Sequence, residues 1–341
     1  MKKIKFTKLS SIVKNLNLSY EEELGEMIIP EEGGVIAVEA LSHEGKNNAF
    51  EHLSGRLGKL FQKDIIPAVL GQRKALKEYS GKIPNVINPG DELYFLCESG
   101  LVGEIQGFNE SWGQPMKVKV IGSVIKNGKQ LNIKDFDIDS KDTIENSAPI
   151  IAIVGTSMDC GKTTMICKIA EHFKSNGHKI AGAKLTGVAF MQDTLKMIDA
   201  GIHPVIDFVD AGLPSTCGDS KKAINAAISV IKKVNNSKPH AIIAEFGDGI
   251  MGEYNVSNIL KNEWFHKQIK VLIVSANDLT GVWGAKQIIN SMGLKIDLIT
   301  GPVANNLTGV DYIEKNINIP AESNLHKIPK TLVMINKIIN L

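Results

Sequence analysis

The sequence predicts an α/β protein: a doubly wound, mostly parallel sheet over residues 149–341, preceded by a smaller β-rich domain over residues 1–125. Three observations predict it. Beyond residue 148, apolar runs of strand length alternate with segments of helical period, the pattern of parallel strands joined by crossover helices. A glycine-bounded turn, Gly155 to Gly161, stands between the first of those runs and the first of those helices. Upstream, short apolar runs are separated by turn residues such as Pro89, Gly90 and Asp91, with no helical alternation.

Taken in order, the N-terminal domain reads as strands over 34–40, 92–97 and 118–125, with one helical segment near 68–79. The polar stretch 126–148 reads as a linker, because apolar character resumes only after Pro149. A fully apolar strand over 149–154 follows. The helix over 162–176 places Ile166, Ile169, Ala170 and Phe173 at helical spacing and stops at Gly177. Strand 179–183, helix 191–200, strand 204–209, helix 220–235, strands 241–246 and 271–275, helix 283–292 and strand 296–300 complete the sheet. Ligands of such sheets bind beyond the carboxyl ends of the strands, so the loops there are where chemistry is expected.

Composition narrows the partners. The 341 residues are 43% hydrophobic, enough to bury a core without disulfides or metals, and 39 basic side chains nearly cancel 37 acidic ones. A net charge of +2 carries no nucleic-acid footprint. No run of 18 apolar residues suggests a membrane span, and Met1, Lys2 and Lys3 are not followed by an apolar signal-peptide core, so a cytoplasmic location is expected. Cys97, Cys160, Cys167 and Cys217 lack paired metal-site spacing and read as reduced thiols. The expected partner is a small-molecule substrate, with neither nucleic acid nor membrane, and a homodimer is admitted.

The turn carries the chemistry. Gly155, Thr156, Asp159, Cys160, Gly161, Lys162, Thr163 and Thr164 lie on a stretch that leaves a strand and opens a helix, the context of a phosphate-binding P-loop. Backbone N–H groups at the helix start attract anionic oxygens, Lys162 can reach β and γ phosphates, and the Thr163 hydroxyl is placed to ligate Mg²⁺. Its glycines enclose five residues, one more than the strict pattern.

With that spacing the loop resembles that of dethiobiotin synthetase, and also that of a P-loop family whose members include D-glutamate N-acetyltransferases. The resemblance covers roughly residues 149–310. Lys184, Thr186 and Gly187 resemble the synthetase's Lys-Pro segment, with Leu185 in the proline's place. That likeness implies that Lys184 faces substrate and terminal phosphate. Asp207 and Phe208 resemble an Asp-Phe pair of the second family, and Glu245, Gly247 and Gly249 resemble the acidic, glycine-rich strand end of both. The run Gly301, Pro302, Val303, Ala304, Asn305, Asn306 resembles the adenine-side loop of the synthetase.

Each candidate also has its own physical reading. Glu245 ends an apolar strand, where a cation or a substrate amine would stabilise a buried carboxylate. Lys184 ends the neighbouring strand and adds positive charge beside a transferring phosphoryl group. Asp193, Asp207 and Asp210 compete as a second carboxylate near Mg²⁺, and Asp207 is the one chosen. Trp283 reads as a core residue of its helix, with a wall of the substrate site as the alternative. Arg56 and Arg73 are the only arginines, both in the N-terminal domain, where they read as surface charges or, alternatively, as a source of an arginine finger.

These readings give an enzyme dependent on ATP and Mg²⁺ that activates a small carboxylate or carbamate by phosphoryl transfer. Lys162, Lys184 and Glu245 are its expected catalytic groups, and Thr163, Asp207 and Glu245 its expected metal ligands. Adenine is expected because no Asn-Lys-x-Asp guanine signature follows a late strand, and the Asn305 amide offers a donor and an acceptor. The alternatives are an N-acyltransferase whose loop holds coenzyme A phosphates, and a nucleotide-dependent switch or metallocentre maturation factor.

Overall fold

The computed structural model describes residues 2–41, 48–136 and 146–340. The chain forms two compact units: Met1–Ile138 with Val188–Gln192 and Phe208–Gly218, and Asp139–Gly187 with Asp193–Asp207 and Asp219–Leu341. Residues 137–145 of the expected linker lie outside the described residues. Its earlier part carries a short strand and a 3₁₀ turn at Ile133–Phe136.

The first unit is β-rich. Its strands are β1 (Lys2–Lys5), β2 (Glu21–Gly25), β3 (Val35–Ala40), β4 (Ala49–Glu51), β5 (Leu57–Lys59), β6 (Ile65–Leu70), β7 (Arg73–Lys74), β8 (Tyr79–Lys82), β9 (Glu92–Cys97), β10 (Leu101–Phe108), β11 (Lys117–Lys126) and β12 (Lys129–Gln130). The pairings β11 to β3, β3 to β6, β6 to β10, β10 to β9 and β9 to β11 close a ring of five strands, in which β6 and β10 run parallel. Closure removes the open edges that would otherwise invite association. One apolar cluster draws on all five strands, through Ile36, Ile66, Phe95, Val102 and Val118. Alternate residues such as Val35, Ala37, Val69 and Leu101 face a second cluster with Phe6, Leu9 and Ile12, so these strands are apolar on both sides.

The expected helix over 68–79 is corrected to strand: the segment contains the end of β6, all of β7 and the start of β8. Its stretch Arg73 to Glu78 is rich in helix formers, but pairing decides otherwise. Gly71 approaches Leu101 so closely that an added Cβ would lie 2.4 Å from its side chain. Arg73 is also not a surface charge. Its guanidinium is buried, paired with Glu78, and donates to the Leu96 carbonyl, which ties β7 to β9.

The second unit holds β13 (Ile150–Gly155), β14 (Ile180–Thr186), β15 (Val205–Asp207), β16 (Ala241–Phe246), β17 (Ile269–Ser275) and β18 (Leu298–Thr300). They pair in parallel, in the order β15-β14-β16-β13-β17-β18. Its helices are α1 (Lys162–Ser175), α2 (Gln192–Asp199), α3 (Ser220–Asn235), α4 (Val256–Leu260), α5 (Glu263–Gln268), α6 (Leu279–Ser291), α7 (Leu307–Tyr312) and α8 (Pro329–Ile339). Every residue of β13 and β16 is buried, as expected of parallel strands covered on both faces. The predicted stripe of α1 packs, with Met165, on Ile151, Ile153 and Ile243. Asp219 caps α3 by accepting from the amides of Lys221 and Lys222 at 2.8 and 3.2 Å.

Arg73→Ala should destabilise the first unit by about 3 kcal/mol, because Glu78 and the Leu96 carbonyl would lose their buried cation. Urea denaturation of the variant checks this, and an unchanged midpoint contradicts the structural role.

Candidate functional site

The site is built where β13 meets α1. Gly155 closes the strand, and the amide of Thr156 donates to the Ser275 carbonyl at 3.0 Å, which pins the loop's entry to β17. Asp159 (φ 57°) and Gly161 (φ 93°) both adopt left-handed backbone, and the chain turns through them into α1. A Cβ on Gly155 would lie 2.5 Å from Cys160 Sγ and 2.9 Å from Lys162 Nζ, so the loop folds back over bare backbone. The buried Cys160 thiol fills its centre and donates to the Ser157 carbonyl at 3.0 Å. Lys162 Nζ spans the loop, donating to the carbonyls of Ser157 (2.9 Å) and Asp248 (3.0 Å). Thr156 is half-buried, while Asp159 and Thr164 are exposed.

Beside the loop, three charged side chains share one level of the sheet. Strand register pairs Asp207 with Lys184 and Lys184 with Glu245, on three adjacent strands near their carboxyl ends. In-register parallel strands lie about 4.8 Å apart, so each residue has its partner as nearest neighbour on the same face. All three are at least 97% buried. Glu245 Oε1 accepts from the Thr163 hydroxyl at 2.9 Å, and Glu245 Oε2 is a buried oxygen with no hydrogen-bond partner.

The fourth member is Asp193, in the first turn of α2. Its Oδ2 lies 2.8 Å from Lys184 Nζ and its Oδ1 lies 3.4 Å from the Thr163 hydroxyl. Burial pushes the Glu245 carboxyl up to about 7, and the Asp193 charge adds to that against the opposing pull of Lys184 and Lys162. For Lys184 burial works downward, but Asp193, Glu245 and Asp207 outweigh it and hold the ammonium well above the usual range. Asp193 stays below the usual carboxylate range, because Lys184 outweighs the effect of burial.

Lys162, Thr163, Lys184 and Glu245 are thus gathered with the loop, as is Asp193. Asp207 stands on the far side of Lys184 from Glu245. Asp210 belongs to the first unit, where it accepts from Asn15 and pairs with Lys14. Asn305 lies exposed beyond β18 and accepts from the Ser323 hydroxyl at 2.8 Å. Trp283 is corrected from core to surface: it is 59% exposed, because the buried stripe of α6 is Val282, Ala285 and Ile289. Sequence reasoning missed Asp248, Ser275 and Asn324, which touch the loop. Asp248 acts through its carbonyl, which every residue has, so no side-chain signal marks it.

A divalent cation fits this chemistry. A threonine hydroxyl and two carboxylates, one with an unpartnered buried oxygen, are hard oxygen donors of the kind Mg²⁺ takes. Among the described residues no three or more His, Cys, Asp or Glu side chains form a metal-binding group. Phosphate oxygens and water would have to complete the shell, which is how Mg²⁺ is commonly held.

Glu245→Gln should stabilise the ligand-free protein at high pH. A carboxyl raised from about 4.5 to about 7 contributes stability that is intact below pH 4.5 and is lost as pH rises through 7. The variant should therefore melt like the parent near pH 5 and gain roughly 1–3 kcal/mol at pH 8.5. Equal melting at both values would show that the carboxylate is not under burial stress.

No protein-family profile and no curated protein matches the chain. Among solved structures it is similar to the signal recognition particle receptor FtsY from Elizabethkingia anophelis, with 15% identity and a TM-score of 0.40, over 57% of this chain and 68% of that one. It is also similar to the cell division protein ftsY from Thermotoga maritima, with 15% identity and a TM-score of 0.39, over 55% of this chain and 66% of that one. Chloroplast FtsY from Physcomitrella patens matches with 17% identity and a TM-score of 0.38, over 55% and 63% of the two chains.

Proposed function

We propose that the second unit binds a nucleoside triphosphate, ATP, with Mg²⁺ and transfers its γ-phosphoryl group to a small carboxylate or carbamate. The observation that carries this reading is the Thr163–Glu245 pair. A buried carboxylate with an unpartnered oxygen, against the hydroxyl that follows a loop lysine, is costly unless a cation arrives. The reaction class rests on the likeness of the Lys184, Glu245 and Asn305 segments to those of dethiobiotin synthetase.

In this reading Lys162 exchanges its two carbonyl acceptors for β and γ phosphate oxygens, to which a cation binds more strongly. Thr163, Glu245 and Asp193 would hold Mg²⁺, with Asp207 kept one strand away by Lys184. The metal would neutralise phosphate charge and fix the angle of the chain of phosphates. Lys184, released in part from Asp193, faces the charge that builds on the transferring group. An oxygen of the substrate carboxylate forms a bond to the γ phosphorus as the bond to the β–γ bridging oxygen breaks, so that ADP leaves and an acyl phosphate remains. The buried side chains of Lys184 and Glu245 already stand beside the loop, which limits the reorganisation needed during transfer.

Lys162→Ala should weaken ATP binding at least tenfold while the melting temperature changes little, because the ammonium serves carbonyls and phosphate rather than the core. Unchanged affinity in the folded variant would remove the phosphate-loop reading. Competition titrations with Mg²⁺ present should rank ATP above GTP, given the absent guanine signature and the exposed Asn305 amide. Tighter GTP would overturn the choice of base. Binding of acetyl-CoA without any need for Mg²⁺ would instead support an acyltransferase.

A further inference from the structure

Two consecutive carbonyls of the phosphate loop are held from outside by buried side chains of distant segments. The Ser275 hydroxyl, at the end of β17, donates to the Cys160 carbonyl. Asn324 Nδ2 donates to the Gly161 carbonyl at 2.8 Å, and that carbonyl also accepts from the Met165 amide at 3.2 Å. Asn324 is 98% buried, and it sits on a braced segment. Ala321 bridges to Ile299 of β18, and Glu322 accepts from the amides of Lys330 and Thr331 and from the Thr331 hydroxyl, at the start of α8.

The consequence follows from peptide geometry. In a planar trans peptide the C=O and the following N–H point in opposite directions. Holding the Cys160 and Gly161 carbonyls outward therefore turns the N–H groups of Gly161 and Lys162 the other way, toward the concave side of the loop. Gly161 is where such control is needed. It has left-handed backbone (φ 93°), no side chain caps α1 there, and glycine permits the peptide to rotate more freely than any other residue. A Cβ on Gly161 would lie 2.7 Å from Asn324 Nδ2, so the carboxamide fills the space that a side chain would take.

We infer that Asn324 is a positioning residue for phosphate: by fixing the Gly161–Lys162 peptide it aims the Lys162 N–H at the anion, beside the Gly161 N–H whose peptide Ser275 holds. The inference rests on the phosphate-loop reading and adds to it a contribution from a segment outside the motif. Concave pairs of backbone N–H groups of this kind bind anions without a charged side chain.

The test uses the full-length protein with Asn324→Asp and Asn324→Ala, titrated with Mg²⁺-ATP and with inorganic tripolyphosphate, and melted without ligand. Asn324→Asp keeps the shape but replaces the donor with an acceptor facing a carbonyl. Both variants should lose at least tenfold in affinity for both probes, with the aspartate variant the weaker binder and melting within a few degrees of the parent. Affinities within twofold of the parent for both probes overturn the inference while leaving the phosphate loop standing. A loss of affinity that appears only where the melting temperature has collapsed also overturns it, because a residue needed merely for folding behaves so. If the parent binds neither probe, the phosphate-loop reading fails and the inference falls with it.

Discussion

A carboxylate held out of water at the end of a parallel strand organises the second unit around the loop. Burying Glu245 beside β13 is unfavourable by itself, and each neighbour answers that cost in part: Thr163 donates to one oxygen, Lys184 supplies charge from the adjacent strand, and Asp193 holds Lys184 in turn. The balance is incomplete, since one oxygen of Glu245 keeps no partner and burial raises its pKa toward neutrality. Such incomplete balance in a buried cluster suits the cation site proposed above.

The sheet makes this cluster possible. In a parallel sheet the strands all end on one side, so residues far apart in sequence, 184, 207 and 245, arrive at one level by register alone. Their side chains continue the face on which α1 packs, where Ile243 and Ile153 give way to Glu245 and the loop. The change from apolar to charged takes place within two residues along β16. That abruptness keeps the charges interacting strongly, because the medium below them is hydrocarbon.

Glycines of the second unit serve the same loop. Gly155 admits the lysine and the thiol, Gly249 brings bare backbone against Thr156, and Gly301 does so against the Cys160 carbonyl. The loop is thereby enclosed by three strand ends. The first unit solves a different problem: a ring of five paired strands that is apolar on both sides, in which the buried Arg73 replaces a missing backbone connection between β7 and β9.

Features that depend on short stretches are readable in the amino-acid order alone. The alternation of elements after residue 149, the start of α1 at Lys162, and the placing of Lys184 and Glu245 at strand ends were all legible, because each rests on local periodicity or on a motif of adjacent residues. Features that depend on partners distant in the chain are set by folding. Of the three competing aspartates the sequence reading chose Asp207, and it was the placing of α2 beside the loop that brought Asp193 as well to both Thr163 and Lys184. Residues 68–79 carry helix-forming side chains yet pair as strands, since register with β3, β8 and β10 outweighs a local preference worth under about 1 kcal/mol per residue. Asn324 had no mark at all: a lone asparagine gains its meaning from the Gly161 carbonyl 163 positions earlier, and only folding brings the two within a hydrogen bond.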